Sequence, residues 1–266
     1  MLWFEQVLPH AMGFFLVLSR LGGLMLIAPV LSSEVIPRRV KVAFVLVMTA
    51  VVYPTIDHDA YSAIPLDLLT LAPLVASEIA VGAIIGFIAL IPIASVQLAG
   101  LIMGQQLGLA LAEQFNPALN ISAENFGQML FMTTMTSFIY LDGLEFLYAS
   151  VVHTFAVLPA GGLHASITPV ELLTGLVSSG FVIAMRIAMP VMAIILLETI
   201  AIGFIMKTVP ALNILSVGFP IRILVGTTVF ISGLYAIKHT ILIDLHETMV
   251  VIEGWVLSLG EGARDA

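Results

Sequence analysis

The side chains that most often do chemistry are few and scattered in this sequence. No two histidines share an apolar helix face with a carboxylate at metal-ligand spacing: His10, His58, His153, His164, His239 and His246. Cysteine is absent, which excludes disulfides and thiolate metal sites. The sequence contains no metalloprotease, nucleophile-elbow or phosphate-loop motif. We therefore expect no catalytic residue, no metal site and no cofactor, and the sequence argues against an enzyme.

The polar feature that does stand out is a set of charged residues inside long apolar runs. Arg20 lies near the middle of the run His10–Leu31, and Glu78 lies inside the run Leu66–Ile91. A charge inside a membrane span is costly and usually faces protein. For Arg20 two interpretations stay open: an ion pair across an assembly interface, or a side chain whose charged end reaches a lipid headgroup.

The run Leu172–Met206 carries Arg186, Pro190 and Glu198. Its two charges are twelve residues apart, about 18 Å along a helix, so they cannot pair with each other. Pro190 predicts a kink. Because each charge needs a partner elsewhere, we predict that five charged residues make contacts between subunits: Arg20, Glu78, Arg186, Glu198 and Lys207.

Glycines recur at every fourth position on both sides of Pro92. They form two series: Gly82 and Gly86, then Gly100, Gly104 and Gly108. This spacing places each series on one helical face. A face without side chains lets another backbone approach closely, which is how membrane helices pack. We predict a helix-packing face at these glycines, although glycine is common in membrane helices generally.

Two interruptions separate the apolar runs and could have a role of their own. The polar stretch Glu113–Asn125 holds the turn signal Asn116-Pro117, and it is either a mobile loop that enters a cavity or a plain connection. The stretch Lys207–Gly226 is broken yet apolar. We predict that it forms a turn packed against protein, unless it is an ordinary hairpin turn, with these residues: Pro210, Asn213, Gly218, Phe219 and Pro220.

The composition is that of an integral membrane protein. Of the 266 residues, 60% are hydrophobic and only 10% are charged, against roughly 25% charged in soluble domains. Candidate spans are His10–Leu31, Val40–Pro54, Leu66–Ile91, Phe126–Leu141, Leu172–Met206 and Ile221–Ile243. We expect an all-α, helical membrane-type protein of about six long, partly broken apolar helices arranged as hairpins, in one domain. The net charge of -8 argues against nucleic acid as a partner.

The last run, Ile243–Leu259, differs in kind. One stripe is apolar: Leu245, Met249, Ile252, Val256 and Leu259. Asp244, Glu247 and Ser258 are expected on the opposite face, which predicts an amphipathic helix. Since this polar face is acidic, a partner helix suits it better than anionic lipid.

The sequence resembles the FliR/SctT family of type III secretion export-gate proteins, nearly from end to end. The most specific block is Val209–Pro220. Further matches are Arg20 with Gly22-Gly23 and Pro29, Pro37 with Lys41, the Glu78-x-x-x-Gly82-x-x-x-Gly86 series, Gln97–Gly100, Gly104-x-x-x-Gly108, Pro117 and Leu158-Pro159. Asn116 stands where the family often has Asp, and Asp142–Glu145 stands where it often has Gly-His. Gly104–Pro117 is more similar to the flagellar branch.

The resemblance implies one export-gate subunit, residues 1–266, in a helical pore at the centre of the flagellar basal body. Its implied partners are FliP and FliQ, with FlhB at the cytoplasmic side, FlhA nearby and unfolded export substrates. It also implies an inner-membrane location with the subunit lifted toward the periplasm. Residues 1–165 are implied to resemble FliP, and 166–243 a FliQ hairpin, followed by the C-terminal helix and tail, 244–266.

The resemblance further implies that a loop at Gln106–Asn120 plugs the closed pore. Apolar side chains can close such a constriction by dewetting. We therefore predict a plug made of Leu109, Leu111, Phe115, Asn116, Pro117 and Leu119, with Phe115 the largest apolar side chain. The alternative function is a secondary transporter of a small solute, because broken helices and intramembrane charges also occur there; no convincing internal repeat supports it.

Overall fold

A computed structural model of the chain describes residues 2–56, 68–110, 113, 122–158, 170–208 and 214–262. These residues are almost entirely helical, and no strand occurs among them. The helices are α1 (Leu2–Ile27), α2 (Arg38–Val52), a 3-10 turn (Tyr53–Thr55), α3 (Leu68–Gln106), α4 (Glu124–Tyr140), α5 (Gly143–Val157), α6 (Val170–Thr208) and α7 (Ile214–Gly262). The prediction of an all-α protein is confirmed.

Four of the six predicted spans are long and apolar enough to cross a membrane. They lie in α1, α3, α6 and α7, at His10–Ile27, Thr70–Gln106, Val170–Thr208 and Gly218–Gly260. The other two are shorter. The 15 residues of α2 and the 17 of α4 extend only about 22 and 26 Å, against roughly 30 Å of hydrocarbon.

The described residues fall into two compact units that interleave along the chain. One unit comprises residues within Met1–Leu90, Phe138–Thr174 and His246–Ala266, and the other comprises residues within Ile91–Ser137 and Gly175–Leu245. The long helices α3 and α7 contribute residues to both. The units do not follow the boundaries at residues 165 and 243, so the division into a FliP-like part and a FliQ-like hairpin stays a prediction.

The core of the first unit is built from five helices, one of which is α2 with its buried Val52. Its fully buried side chains include Leu16 and Val17 of α1, Ile85 of α3, and Leu147 and Val151 of α5. The end of α7 adds three more: Ile252, Val256 and Leu259. In α5 and α7 these positions follow one another at steps of three or four residues, so each of these two helices presents one apolar stripe to the core.

The core of the second unit gathers the C-terminal part of α3, together with α4, α6 and α7. Ile93 and Val96 of α3 and Leu130 of α4 are buried. The rings of Phe126 and Phe230 meet edge to face, with centroids 4.8 Å apart, a favoured aromatic geometry.

The C-terminal run is the last part of one continuous helix. Its apolar stripe is buried at Leu245, Ile252, Val256 and Leu259, and Met249 is half-buried, as an amphipathic helix requires. Asp244, however, is only 8% exposed, although it was predicted to lie on the polar face opposite the apolar stripe.

The structure also shortens the predicted turn before α7. Gly218, Phe219 and Pro220 lie inside that helix, where they were predicted to break it. Pro190 is likewise inside α6. Proline is tolerated in membrane helices because neighbouring groups and local adjustments satisfy the freed carbonyl. Pro210 and Asn213 lie outside the described residues.

Candidate functional site

The largest fully buried side chain among the described residues is that of Arg20. Its Nε donates to Glu78 Oε2 at 2.6 Å, and its Nη2 donates to Glu78 Oε1 at 3.1 Å. Arg20 is 0% exposed and Glu78 is 1% exposed. This two-point pairing of a planar fork with a carboxylate is the strongest form of side-chain ion pair.

The guanidinium of Arg20 makes two further hydrogen bonds. Nη1 donates to Thr154 Oγ1 at 2.9 Å, and Nη2 donates to the carbonyl oxygen of Leu158 at 3.3 Å. The ring of Phe155 lies against the guanidinium carbon, 4.2 Å from the ring centroid. One side chain therefore joins α1, α3 and the end of α5. Burial of a charge is tolerated because all its polar atoms find partners.

This arrangement differs from the prediction for Arg20 and Glu78. They pair with each other inside one chain instead of across an interface, and Arg20 does not reach a headgroup. Sequence reasoning missed Thr154 and Phe155. No local pattern marks them, because they lie more than 130 residues from Arg20 and only the tertiary fold brings them close.

Glycines explain how α1 and α3 come close enough for this ion pair. A Cβ at Gly82 would overlap the carbonyl oxygen of Arg20, and one at Gly86 would lie 2.8 Å from the backbone nitrogen of Ala28. Gly23 of α1 faces Ile79 of α3 in the same way. The two backbones are therefore in direct contact beside the ion pair, as small residues permit in membrane helices.

The second glycine series packs α3 against the start of α4, within the second unit. A Cβ at Gly100 would lie 2.6 Å from the carbonyl oxygen of Phe126, and one at Gly104 would overlap Ala123. Gly108 does not continue this face. It follows the end of α3 with a φ of 76°, and it faces the ring of Phe219. Glycine suits that left-handed conformation at a helix C-terminus.

A second ion pair joins α6 and α7 within the second unit. Arg222 Nε lies 3.3 Å from Glu198 Oε2, and Arg222 Nη2 donates to Thr199 Oγ1 at 2.7 Å. The side chain of Glu198 is 7% exposed and that of Arg222 is 30% exposed. Glu198 Oε1 has no hydrogen-bond partner among the described residues. Glu198 thus pairs inside the chain through one oxygen, and its predicted contact between subunits stays a prediction.

The remaining predicted charges are on the surface of α6. Arg186 and Lys207 are exposed, and neither makes a hydrogen bond or ion pair with a residue that the structure describes. Of the predicted plug, only Leu109 falls in the described part, where it is buried. The other five residues lie outside the described residues: Leu111, Phe115, Asn116, Pro117 and Leu119.

A groove of about 610 Å³ runs between α3 and the start of α4. Its polar lining includes the amides of Gln97, Asn125 and Gln128, and one carboxylate, Glu124. Amides both donate and accept hydrogen bonds without carrying charge. Across the described ranges, no group of three or more potential metal ligands occurs.

The chain has the features of a helical membrane protein whose helices pack closely. These features are long apolar helices, a buried ion pair between helices, and backbone contacts at glycines. The model of the family described as bacterial export proteins, family 1, matches residues 11–247. The chain therefore belongs to this family.

The chain is also similar in sequence to individual flagellar and type III export proteins. The flagellar biosynthetic protein FliR of Escherichia coli is 29% identical over 222 residues, which cover 84% of each chain. FliR of Caulobacter vibrioides is 25% identical, over 84% of this chain and 88% of its own. The Yop proteins translocation protein T of Yersinia pestis is 27% identical over 79% of this chain and 80% of its own. The family resemblance read from the sequence is confirmed.

Proposed function

We propose that this chain is a structural subunit of a flagellar type III protein export gate and forms part of the pore through which unfolded flagellar proteins are exported. Its family and its FliR relatives support an export role. The absence of recognisable catalytic motifs from the sequence supports a structural role over an enzymatic one.

The observation that carries the proposal is the mismatch between helix length and membrane thickness. The 39 residues of α6 and the 49 of α7 extend about 58 and 74 Å, roughly twice the 30 Å of hydrocarbon. Large apolar side chains stay exposed along α6, among them Phe181, Leu197 and Phe204. Whatever part lies in lipid, the rest would face water unless other subunits cover it.

The partners that fit this requirement are membrane subunits of the same apparatus. We assign FliP and FliQ to the exposed helices, FlhB to the cytoplasmic side, and FlhA nearby. The location is the bacterial inner membrane at the flagellar basal body, and the excess helix length supports a position lifted toward the periplasm.

We further propose that Gln106–Asn120 closes the idle pore. The structure supports the start of this segment: α3 ends at Gln106, and Gly108 turns the chain beside Phe219. Shortening Leu111–Leu119 should leave assembly intact and make the reconstituted complex conduct ions, because the apolar side chains that exclude water are gone. A fully assembled complex with the shortened loop that does not conduct would contradict the plug.

The function itself is tested by purification of the tagged full chain, expressed alone and with the other export-apparatus proteins. We expect FliP and FliQ to be recovered in fixed ratio with the chain in detergent, as a pore-shaped particle in electron micrographs. The chain expressed alone should aggregate, because its long apolar surfaces are uncovered. A stable, monodisperse chain without partners would instead favour a secondary transporter.

A further inference from the structure

One exposed face of α6 has the regular spacing of a helix-packing seam. We call it the Arg186 seam, and its members follow one another at steps of three or four residues: Val182, Arg186, Met189, Ala193, Leu197, Ile200 and Phe204. All seven are exposed. Steps of three and four keep side chains on one side of a helix.

The Arg186 seam lies opposite the side by which α6 joins its own unit. The buried stripe of α6 runs through Gly180, Ala184, Ile187, Val191, Ile195 and Glu198. At 3.6 residues per turn, Arg186 lies well over 90° away from the centre of that stripe. The seam therefore remains exposed when the chain is folded. It covers 23 residues, and its first and last Cα atoms are about 33 Å apart along the helix.

Arg186 is the single charge in this apolar row. Placing a charged side chain among lipid tails has a high free-energy cost. If the helix is placed so that Arg186 reaches the headgroups, apolar residues on either side of it, such as Phe181 and Met189, cannot both be in lipid. Both are more than half exposed. A protein surface covers the seam without this conflict.

We propose that the Arg186 seam docks onto an apolar helix of a neighbouring subunit, and that Arg186 pairs there with a carboxylate on that helix. The proposal rests on the function proposed above, because it requires an assembly. One polar residue in an apolar seam fixes the register of two helices, since only one alignment satisfies it. The Arg20–Glu78 pair inside this chain demonstrates that the same chemistry joins its apolar helices.

The test compares three full-length variants expressed with the other apparatus proteins: Arg186→Met, Arg186→Lys and the control Lys207→Met. Lys207 was also predicted from the sequence to contact another subunit, but it is exposed in the last turn of α6, where a cation can reach the helix end or solvent without a partner. It is therefore the control for an exposed cation of the same helix that lies outside the Arg186 seam. All variants are first matched for the amount of chain in membranes. Recovery of partner subunits per tagged chain is then measured.

We expect Arg186→Met to lower partner recovery more than tenfold, because it leaves the partner's carboxylate buried and unpaired. Arg186→Lys should keep most of the recovery, and Lys207→Met should change it less than twofold. Equal recovery for Arg186→Met and wild type would overturn the inference while leaving the proposed function intact. Failure of the wild-type chain to recover any partner would overturn the function itself.

A photoreactive residue in place of Met189 identifies what covers the seam. A crosslink to another apparatus subunit, within one helical turn of an Asp or Glu, supports the proposal. Substituting that acidic residue by Lys should then restore recovery to an Arg186→Glu variant. Crosslinks only to lipid, or only to a second copy of this chain, would overturn it.

Discussion

Two arginine–carboxylate pairs occur among the residues that the structure describes, and they differ in how fully each is enclosed. Arg20 and Glu78 are both almost completely buried, and the two carboxylate oxygens each accept a bond. In the other pair, Glu198 is buried but Arg222 is 30% exposed, the ion-pair distance is 3.3 Å, and one carboxylate oxygen has no hydrogen-bond partner among the described residues.

The Arg20–Glu78 pair is therefore closed to solvent, whereas the Arg222–Glu198 pair is partly open to it. The side chain of Arg20 joins α1 to α3 and to the end of α5, and each of its three nitrogen atoms donates a hydrogen bond, so its interaction energy depends on the exact positions of all three helices. Arg222 can replace a lost bond with water, because part of its side chain is exposed. We therefore expect equal substitutions in the two pairs to have very unequal effects.

Glu78→Gln should have the largest effect. The amide keeps the volume of the carboxylate but leaves the buried Arg20 charge uncompensated, which costs about 3–5 kcal/mol when a buried pair is broken. We expect the thermal unfolding midpoint of the purified complex to fall sharply and the amount of chain in membranes to drop.

The matched control for this variant is the double substitution Arg20→Met with Glu78→Gln. It removes the buried charge altogether, so it should recover much of the stability lost in Glu78→Gln. A Glu78→Gln chain as stable as wild type would mean that Arg20 does not depend on this pair.

For the first pair, the sequence alone predicted that the charged residues face protein, but it did not predict which residues pair. Glu78 was expected to face protein because a charge inside a membrane span is costly, and the structure places it against Arg20, beside Gly82 and Gly86. The partner was not predicted, because pairing over 58 residues depends on which helices become neighbours. Spacing on one helix carries no information about that.

The helices show the same division between local and tertiary information. Apolar length predicted α1, α3, α6 and α7, but Pro220 was expected to end a helix and lies inside one. The low helix propensity of proline reflects its missing backbone donor. It does not include the packing of neighbouring groups that compensates for this loss in the folded protein. The surface position of Arg186 could not be predicted either, because periodicity predicts a stripe but not which side of it is covered.

Gly82→Ala should have an intermediate effect, since it acts on the first pair through the backbone. The added Cβ would overlap the carbonyl oxygen of Arg20 and push α1 and α3 apart. Overpacking of this kind costs about 1–3 kcal/mol. Gly22→Ala is the control, because a Cβ there meets nothing within 4 Å.

The same unfolding measurement on the complex separates these two variants. Gly82→Ala should lower the midpoint, and Gly22→Ala should leave it unchanged or raise it slightly, because alanine favours the helix by about 1 kcal/mol. Similar midpoints for Gly82→Ala and Gly22→Ala would mean that the ion pair does not depend on close contact between the two backbones.

Glu198→Gln should have the smallest effect. It makes the same change in the Arg222–Glu198 pair that Glu78→Gln makes in the Arg20–Glu78 pair. The amide oxygen can still accept from Arg222, whose bond to Thr199 stays in place, and water can reach the guanidinium. Partly exposed ion pairs contribute about 0–1 kcal/mol, so the unfolding midpoint should move by a small fraction of the shift in Glu78→Gln. An equally large shift would mean that Glu198 Oε1 accepts a bond from another subunit, because only a further buried partner would make this carboxylate as indispensable as Glu78. Recovery of partner subunits with the tagged Glu198→Gln chain would then decide the matter, since losing a bond across subunits lowers that recovery and losing a bond inside the chain does not.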